Sequence, residues 1–294
     1  MVDHFIMVGP TRTATTSVFR HFLMDARVSC SRVKETNFFL DALWNPTGQH
    51  KLDAYESFFA GNQALRLEAS PLYFGGGRAI AEAIAACVPD AKIIVNLRNP
   101  VDRFESVFNH IGLKRDVGFN LTLEAFLNQC QSCKPTDVKS LEDIDGLALR
   151  EGLYGELLAE WQEVFSADRI HIVDFELLSR QPGLALEGVY NFMQISSPGD
   201  SSLESFNQTQ FVKNQGVHRM AMLANNALEP LLNVSPLWLR SALRRAYYAI
   251  NGDEPPAQAA PSVMQRVQRY YEQDAALLKE VLNQLKSPPP AWLS

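Results

Sequence analysis

A cluster of hydroxyl side chains follows an apolar run near the start of the chain. The run covers residues 5–8, and the apolar spacing at 18, 19, 22 and 23 predicts a helix after a Gly-Pro turn. A loop that opens a helix presents unpaired N–H groups and the positive end of the helix dipole. Arg12 adds a fixed positive charge, and further donors come from Thr11, Thr13, Thr15, Thr16 and Ser17. The segment predicts a phosphate or sulfate site, although a Thr-rich turn that only caps its helix fits the same pattern.

This loop differs from the phosphate loop of nucleoside triphosphatases. That loop places Lys and then Ser or Thr after a glycine at the helix start, where this chain has Ala14, Thr15 and Thr16. A kinase that uses a nucleoside triphosphate would also require magnesium ligands, which the sequence does not indicate. Such a kinase is therefore the weaker alternative, and we expect no metal at the site.

A second strand-to-helix unit predicts a second anion site. Residues 93–97 form an apolar run, Asn99 is a good N-cap, and Pro100 is a good first helical residue. Arg98 at the end of the strand and Ser106 on the polar side of the helix could hold one phosphate from two sides. Arg103 is predicted to share that polar face. The alternative is that the arginine forms a surface ion pair with Asp102 or Glu105. Two anion sites on one edge of the sheet would indicate a ligand with two separate anionic groups.

The segment KETNFF, residues 34–39, supplies a candidate general base. Glu35 could take a proton in a partly dry cleft, where the pKa of a carboxylate rises toward neutrality. The neighbouring Lys34 would lower that pKa, and a plain surface Lys–Glu pair is the alternative. The two aromatic residues at the end of the segment are predicted to anchor it in the core.

Strand patterns alternate with helix patterns along the chain. The runs at 5–8, 93–97 and 169–175 predict strands, and EASPLYF, residues 68–74, predicts a loop. This alternation predicts an α/β fold with three layers, α/β/α, around a central parallel sheet whose ligands bind at the carboxyl ends of the strands. We expect one domain, residues 1–294, with an insertion over the site around 112–146 and a helical C-terminal portion, 220–294. A linker around 251–262 would precede a last amphipathic helix.

Composition narrows the classes of function. With a net charge of −6 and a pI of about 5.6, the chain has no overall basic field for nucleic acid or an anionic membrane. No apolar stretch approaches the roughly 20 residues of a membrane span, and the first residues do not resemble a secretory signal. We therefore expect a cytoplasmic protein. Four cysteines are too few for a disulfide framework, so Cys130 and Cys133 are expected to be reduced thiols, with a local redox pair as the alternative.

Four segments in this order resemble the sulfotransferases: GPTRTATTS, KETNFF, EASPLYF and LRNPVDRFESVF. The similarity is strongest to the branch of the heparan sulfate sulfotransferases and their bacterial relatives, and it implies a P-loop-like sulfotransferase fold. It implies 3′-phosphoadenosine 5′-phosphosulfate (PAPS) as donor and 3′,5′-adenosine bisphosphate (PAP) as product. Arg98 and Ser106 then correspond to the 3′-phosphate site. The 5′-phosphosulfate loop corresponds to Gly9, Pro10, Thr11, Arg12, Thr13, Ala14, Thr15, Thr16 and Ser17.

The resemblance also implies roles for residues that touch the acceptor. Glu35 corresponds to the catalytic base, and His110 is the second candidate because other branches use His. Lys34, Glu68, Ser70 and Tyr73 are predicted to shape the acceptor pocket, although Tyr73 could equally lie in the core. A basic segment near Lys213 and Arg219 is predicted to contact the 3′-phosphate or the adenine.

Two residues depart from the family pattern. Arg12 replaces the usual Lys, which assists the departure of the sulfonate by donating to the bridging oxygen; Arg can stabilise charge but does not readily give up a proton. Ala14 replaces the usual Gly, which is tolerable if φ is negative there. A sulfotransferase-like nucleotide-binding protein without activity is therefore a further alternative. The acceptor stays open among carbohydrate, lipid and small molecule, and the sequence does not indicate an oligomeric state.

Overall fold

A computed structural model describes residues 2–114, 121–199 and 261–293, with short pieces at 211–212, 220, 246–247 and 252–253. The predictions for Lys213, Arg219 and most of the helical portion 220–260 lie outside the described residues. The strands are β1 Asp3–Gly9, β2 Val28–Cys30, β3 Leu65–Ala69, β4 Lys92–Leu97, β5 Ile170–Asp174, β6 Phe211–Val212 and β7 Gly252–Asp253. The helices are α1 Thr15–Leu23, α2 Leu52–Glu56, α3 Gly77–Cys87, α4 Pro100–Lys114, α5 Leu123–Ser132, α6 Tyr154–Gln162, α7 Phe175–Arg180, α8 Pro182–Phe192, α9 Pro261–Glu272 and α10 Ala275–Gln284.

Five parallel strands form the central sheet, in the order β2-β3-β1-β4-β5. The residues of β1 from Phe5 to Val8 are fully buried, which is why this strand has no polar alternation. Phe5 and Met7 pack in one core with α1 and α8, whereas Ile6 and Val8 pack in another with α3, α6 and α10. The predicted α/β fold with helices on both sides of a parallel sheet is confirmed.

The strand order changes direction beside β1. The chain first builds β2 and β3 on one side of β1 and then crosses to build β4 and β5 on the other. Ligands of open α/β sheets bind at such a point, at the carboxyl ends of the strands. The loops after β1 and β4, which the sequence predicted as anion sites, therefore leave the sheet as neighbours.

Several predicted elements differ from the observed ones. EASPLYF was predicted as a loop, but Glu68 and Ala69 end strand β3, and Pro71–Gly76 forms a 3-10 helix. The single helix predicted at the C-terminus is two helices, α9 and α10. They are separated at Asp274, whose carboxylate accepts hydrogen bonds from the N–H groups of Gly155 and Glu156 and thereby caps α6. Of the four apolar residues whose spacing predicted α1, Val18, Phe19 and Phe22 are buried and Leu23 is 56% exposed.

The described part of the predicted insertion contains α5 and a run of short turns. Phe126 of α5 stacks on Phe104 of α4, with ring centroids 5.3 Å apart. The chain then passes through Leu141 and Ile144 toward α6, and both residues reach the cavity at the sheet edge. Among the helices that the structure describes, none is long and apolar enough to cross a membrane.

Candidate active site

A cavity of about 680 Å³ lies at the carboxyl ends of β1 and β4. Its walls come from the loop after β1, the face of α4, the segment before α6 and the start of α7. This volume is within the usual range for small-molecule sites, about 300–1,000 Å³. The candidate residues that line it are Thr11, Arg12, Ala14, Thr15, Thr16, Ser17, Glu35, Arg98 and His110.

The loop after β1 is held by polar contacts on its buried side. Asn96 of β4 donates from Nδ2 to the carbonyl of Thr13 at 3.0 Å, and the hydroxyl of Thr13 donates to the carbonyl of Pro10 at 2.6 Å. Thr13 is fully buried, so the prediction that its hydroxyl faces an anion is wrong. Gly9 has a φ of 106°, and a Cβ there would lie 2.2 Å from the carbonyl oxygen of Pro71, so no side chain fits. Gly9 and Pro10 support the loop and do not line the cavity.

Ala14 is the N-cap of α1 and has a left-handed backbone, with φ 63° and ψ 20°. The expectation of a negative φ at this position is therefore wrong. A left-handed conformation strains any residue that carries a Cβ, which explains why glycine suits the position. The strain lies directly before the N–H groups that open α1.

Arg12 lies between the two predicted anion sites. Its Nε donates to the hydroxyl of Ser106 at 3.1 Å, and its carbonyl accepts from the guanidinium of Arg98 at 3.1 Å. Arg98 also lies over the ring of Phe175, at 4.6 Å from the centroid. Burial and the nearby charge of Arg98 both lower the pKa of Arg12, and burial lowers the pKa of Arg98. Two half-buried guanidinium groups thus repel each other beside the start of a helix, and an anion between them would relieve that repulsion.

Arg103 was predicted on the polar face with Arg98 and Ser106, and this prediction is wrong. Its side chain is fully buried and donates to Glu151 Oε2 at 2.9 Å and to the carbonyl of Ala148. Helix α4 turns this residue toward the segment before α6 and toward Tyr271 of α9, which cover it. Glu151 also accepts a hydrogen bond of 2.6 Å from the hydroxyl of Thr11. The sequence analysis missed Glu151, whose surroundings LREGLYG give no signal of a link to the first loop.

Glu35 lies on the wall of the same cavity. Its φ of 66° is left-handed, and its N–H donates to the carbonyl of Ala69 at the end of β3, at 2.9 Å. Its carboxylate is paired with the ammonium group of Lys34, and its side chain is 44% exposed. The partly dry surroundings expected for this carboxylate are therefore not observed. Lys34 contacts Glu35 and is not among the residues that line the cavity.

Glu68 and Ser70 were predicted to shape the acceptor pocket, but both are fully buried, and Tyr73 is fully buried in the core, which was its alternative. Glu68 accepts hydrogen bonds from the hydroxyls of Thr36, Tyr55 at 2.8 Å, Ser70 at 2.6 Å and Tyr73 at 3.0 Å. Burial raises the pKa of Glu68, and these hydrogen bonds oppose the rise.

This buried cluster supports the loop that carries Glu35. The Ser70 hydroxyl accepts from the N–H of Asn37 at 3.1 Å, and the Tyr73 hydroxyl accepts from the N–H of Phe39 at 3.2 Å. Phe39 itself is fully buried, as predicted. The cluster therefore holds the backbone that follows Glu35, the candidate base, and does not line the cavity.

The remaining walls are formed by the second candidate base, by α7 and by the predicted insertion. His110 faces the cavity from α4, one turn beyond Ser106, and Phe175 and Ser179 face it from α7. Leu141, Ile144 and Asp145 come from the predicted insertion. The sequence predicted these three residues only indirectly, because they lie in a segment that was expected to cover the site. Together the walls can hold an anion at the arginines and present a neighbouring group to Glu35.

Comparison with known proteins identifies the family and the fold. Residues 19–198 match the sequence profile of the sulfotransferase family. The chain is 24% identical over 306 residues to the bifunctional heparan sulfate N-deacetylase/N-sulfotransferase of Drosophila melanogaster, with 98% of this chain and 27% of that protein covered. It is 27% identical over 197 residues to the human bifunctional heparan sulfate N-deacetylase/N-sulfotransferase 2, with 65% of this chain and 22% of that protein covered.

The chain thus spans about a quarter of the length of these curated relatives. A crystal structure of a sulfotransferase from Alicyclobacillus acidocaldarius has a similar fold. Its TM-score is 0.64 at 20% identity, with 99% of this chain and 98% of that chain covered. At this level of identity, the likeness supports the fold.

Proposed function

The chain belongs to the sulfotransferase family, and we propose that it transfers a sulfonate group from PAPS to a hydroxyl of an acceptor molecule. The observation that carries the proposal is the pair Arg12 and Arg98. Both guanidinium groups line one cavity at the start of α1, and the charge of Arg98 lowers the pKa of Arg12. A donor with anionic groups at both ends matches this distribution of charge.

In this proposal, the N–H groups at the start of α1 and the guanidinium of Arg12 bind the 5′-phosphosulfate. Arg98 and Ser106 bind the 3′-phosphate. The hydroxyl of Ser106 now accepts from Arg12 Nε, so a phosphate at Ser106 would replace this contact. We expect Arg12 then to turn toward the phosphosulfate.

Glu35 is the proposed general base, and it would accept the proton of the acceptor hydroxyl as the new S–O bond forms. Arg12 and the loop amides would stabilise the negative charge that develops on the leaving phosphate. Arg12 keeps its own proton, because a guanidinium is charged at all ordinary pH values. His110 faces the same cavity and is the alternative base.

The acceptor is proposed only by class. The curated relatives are named for heparan sulfate, which favours a carbohydrate, and a lipid or a small molecule is the alternative. The described residues form no cluster suited to a metal ion, and the proposed chemistry assigns no step to a metal.

Calorimetric titration with PAP, and separately with ATP with and without magnesium, tests the donor site. We expect magnesium-independent binding of PAP that Arg98→Ala weakens about tenfold to a hundredfold, since a hydrogen bond to a charged group contributes about 1.5–3 kcal/mol. Arg78→Ala is the matched control because Arg78 is 60% exposed and pairs with Glu82 and Glu163 on the surface. Magnesium-dependent ATP binding without preference for the 3′-phosphate would instead favour a kinase.

Activity assays with PAPS test the assigned roles. Glu35→Gln should abolish turnover and leave the affinity for PAP unchanged, and persistent turnover would show that the base is another residue. Arg12→Lys distinguishes an active enzyme from a binding protein that Arg12 keeps inactive. A protein that Arg12 keeps inactive should gain activity from that change.

A further inference from the structure

A second cavity, of about 410 Å³, lies beside the cavity of about 680 Å³ that contains Arg12 and Arg98. The larger one is termed the donor cavity, after the PAPS that we propose binds there. Its walls come from the 3-10 helix Leu40–Leu43, the loop that follows it, and the beginning of α2. Leu141 lines both cavities, and its side chain is 51% exposed. The two cavities are therefore neighbours that meet at one apolar side chain.

The loop of the proposed base connects the two cavities. Glu35 lines the donor cavity, whereas Asn37 and Phe38 line the second one. Two residues of extended chain span at most about 7 Å, so the second cavity begins within that distance of the backbone of Glu35. The anchoring of this loop to Ala69 and Ser70 at the end of β3 fixes the separation. A molecule in the second cavity could thus present one of its groups to Glu35.

The lining of the second cavity combines apolar and polar residues. The apolar ones are Phe38, Leu40, Trp44, Ala54 and Leu141. Trp44 packs partly against the core and is half-buried. The polar ones are Asn37, Asp41, Asn45, Gln49, His50 and Lys51. Apolar walls with a few placed amides and a carboxylate suit a ring that has C–H groups on its face and hydroxyls on its edge.

Two polar groups in this wall have capacity for a ligand. Asn37 Oδ1 is buried and has no hydrogen-bond partner within the described ranges, and buried polar atoms are rarely left in that state. Asp41 accepts from His50 Nε2 at 2.7 Å through Oδ1, and its side chain is 42% exposed. The exposed carboxylate of Asp41 can accept a hydrogen bond from a ligand hydroxyl, and Asn37 Oδ1 gains a partner when its side chain turns toward the ligand.

The charges around the second cavity do not favour an anionic ligand over a neutral one. Among the described wall residues, the charged groups are the carboxylate of Asp41 and the ammonium of Lys51, and His50 lies against Asp41. The donor cavity has two arginines and its neighbour has none in its described wall. A polyanion would need a surplus of cationic groups, which these wall residues do not provide.

We propose that the second cavity is the acceptor subsite and that it takes an uncharged, hydroxyl-rich ring, such as a pyranose of a neutral saccharide. The ring packs on Trp44, and its hydroxyls donate to Asn37 and Asp41. This inference rests on the proposed function, because it treats the ring as the acceptor of the sulfonate group.

Calorimetric titrations with saturating PAP test the proposal. The neutral probe is cellotetraose, and the anionic probe of equal length is a tetrasaccharide of alternating glucuronic acid and N-acetylglucosamine. We expect cellotetraose to bind about tenfold more tightly than the anionic probe, and Trp44→Ala to weaken it about tenfold through loss of the aromatic contact. Leu52→Ala is the control, because Leu52 is a 44% exposed residue of α2 outside the wall.

A charge reversal tests the selectivity separately. Asp41→Lys should narrow or reverse the preference for the neutral probe, whereas Asp53→Lys, an exposed position of α2 outside the wall, should leave it unchanged. Circular dichroism of each variant shows whether the fold is retained.

Three outcomes would overturn the proposal while PAP binding stands: cellotetraose binds Trp44→Ala as well as the parent protein, the anionic probe binds as tightly as the neutral one, or neither saccharide binds. Failure of the donor assignment has a different signature. In that case PAP does not bind, but cellotetraose still binds without it in a manner that depends on Trp44.

Discussion

The buried ion pair of Arg103 and Glu151 should stabilise the fold and also hold the loop after β1. Arg103 is fully buried, Glu151 is 3% exposed, and Nη1 of the arginine lies 2.9 Å from Oε2 of the glutamate. The same oxygen accepts from the Thr11 hydroxyl at 2.6 Å. Burial raises the pKa of Glu151, and the charge of Arg103 and the hydrogen bond from Thr11 oppose that rise. Removal of the carboxylate leaves a guanidinium buried without its ion-pair partner.

The expected magnitude follows from that burial. Breaking a buried ion pair by removal of one partner costs about 3–5 kcal/mol. The unfolding entropy is about 2.1 cal/mol/K per residue, hence about 0.6 kcal/mol/K for a chain of 294 residues. Glu151→Ala should therefore lower Tm by about 5–8 °C. Glu151→Gln keeps an acceptor for Thr11 and Arg103 and should lower Tm by less.

The control is an ion pair of the same type on the surface. Glu163 pairs with Arg78 at 2.6 Å, and the two side chains are 55% and 60% exposed. Exposed pairs contribute about 0–1 kcal/mol, so Glu163→Ala should change Tm by less than about 2 °C. Thermal unfolding followed by circular dichroism measures both, with urea unfolding as the check on reversibility. A Tm for Glu151→Ala that matches that of Glu163→Ala would refute the reasoning.

Three further predictions concern other parts of the same fold. Ala14→Gly should stabilise the protein by about 0.5–1 kcal/mol in urea unfolding, because it removes left-handed strain at an N-cap with φ 63°; a loss of stability would contradict the strain. Burial lowers the pKa of His171 from 6.5 to about 4. The unfolded chain therefore binds more protons between these values, and stability is full above pH 6.5 and falls as the pH decreases toward 4, a dependence that His171→Gln should reduce. Tyr73→Phe removes the hydroxyl that bonds Glu68 and the N–H of Phe39 and should cost about 1–3 kcal/mol; calorimetry should show unchanged PAP affinity, because Tyr73 lies outside the cavity wall.

The sequence predicted the elements whose signal is local. Strands β1 and β4 are buried on both faces and read as apolar runs, and Asn99 accepts from the N–H of Val101 as the predicted cap of α4. Strands β2 and β3 were missed. The first has three residues and the second contains Arg66 and Glu68, so neither shows an apolar run of useful length. Strand β3 pairs with β1, and β2 pairs with β3, so both depend on contacts between residues far apart in the sequence.

The residue types of the candidate site could be predicted from the sequence, but the direction in which each side chain points could not. Arg98 and Arg103 have the same chemistry and lie five positions apart, yet the first faces the cavity and the second is buried. The difference arises from the segment before α6 and from Tyr271 of α9, which cover Arg103. Glu68 was predicted to line a pocket but is buried, again because residues distant in the sequence cover it. Its hydroxyl partners Thr36 and Tyr55 lie 32 and 13 positions away, so its burial has no local signature.

Buried contacts hold the loop after β1 from two sides. Asn96 fixes the Thr13 carbonyl, and Glu151 fixes the Thr11 hydroxyl, so the loop is held from β4 and from the segment before α6. Arg12 lies between these anchors, where it faces the charge of Arg98. A loop free to move would reduce that repulsion by separating the guanidinium groups. The buried anchors hold the backbone on both sides of Arg12, so its guanidinium starts from a fixed point near Arg98, and an anion bound at the two arginines would reduce their repulsion.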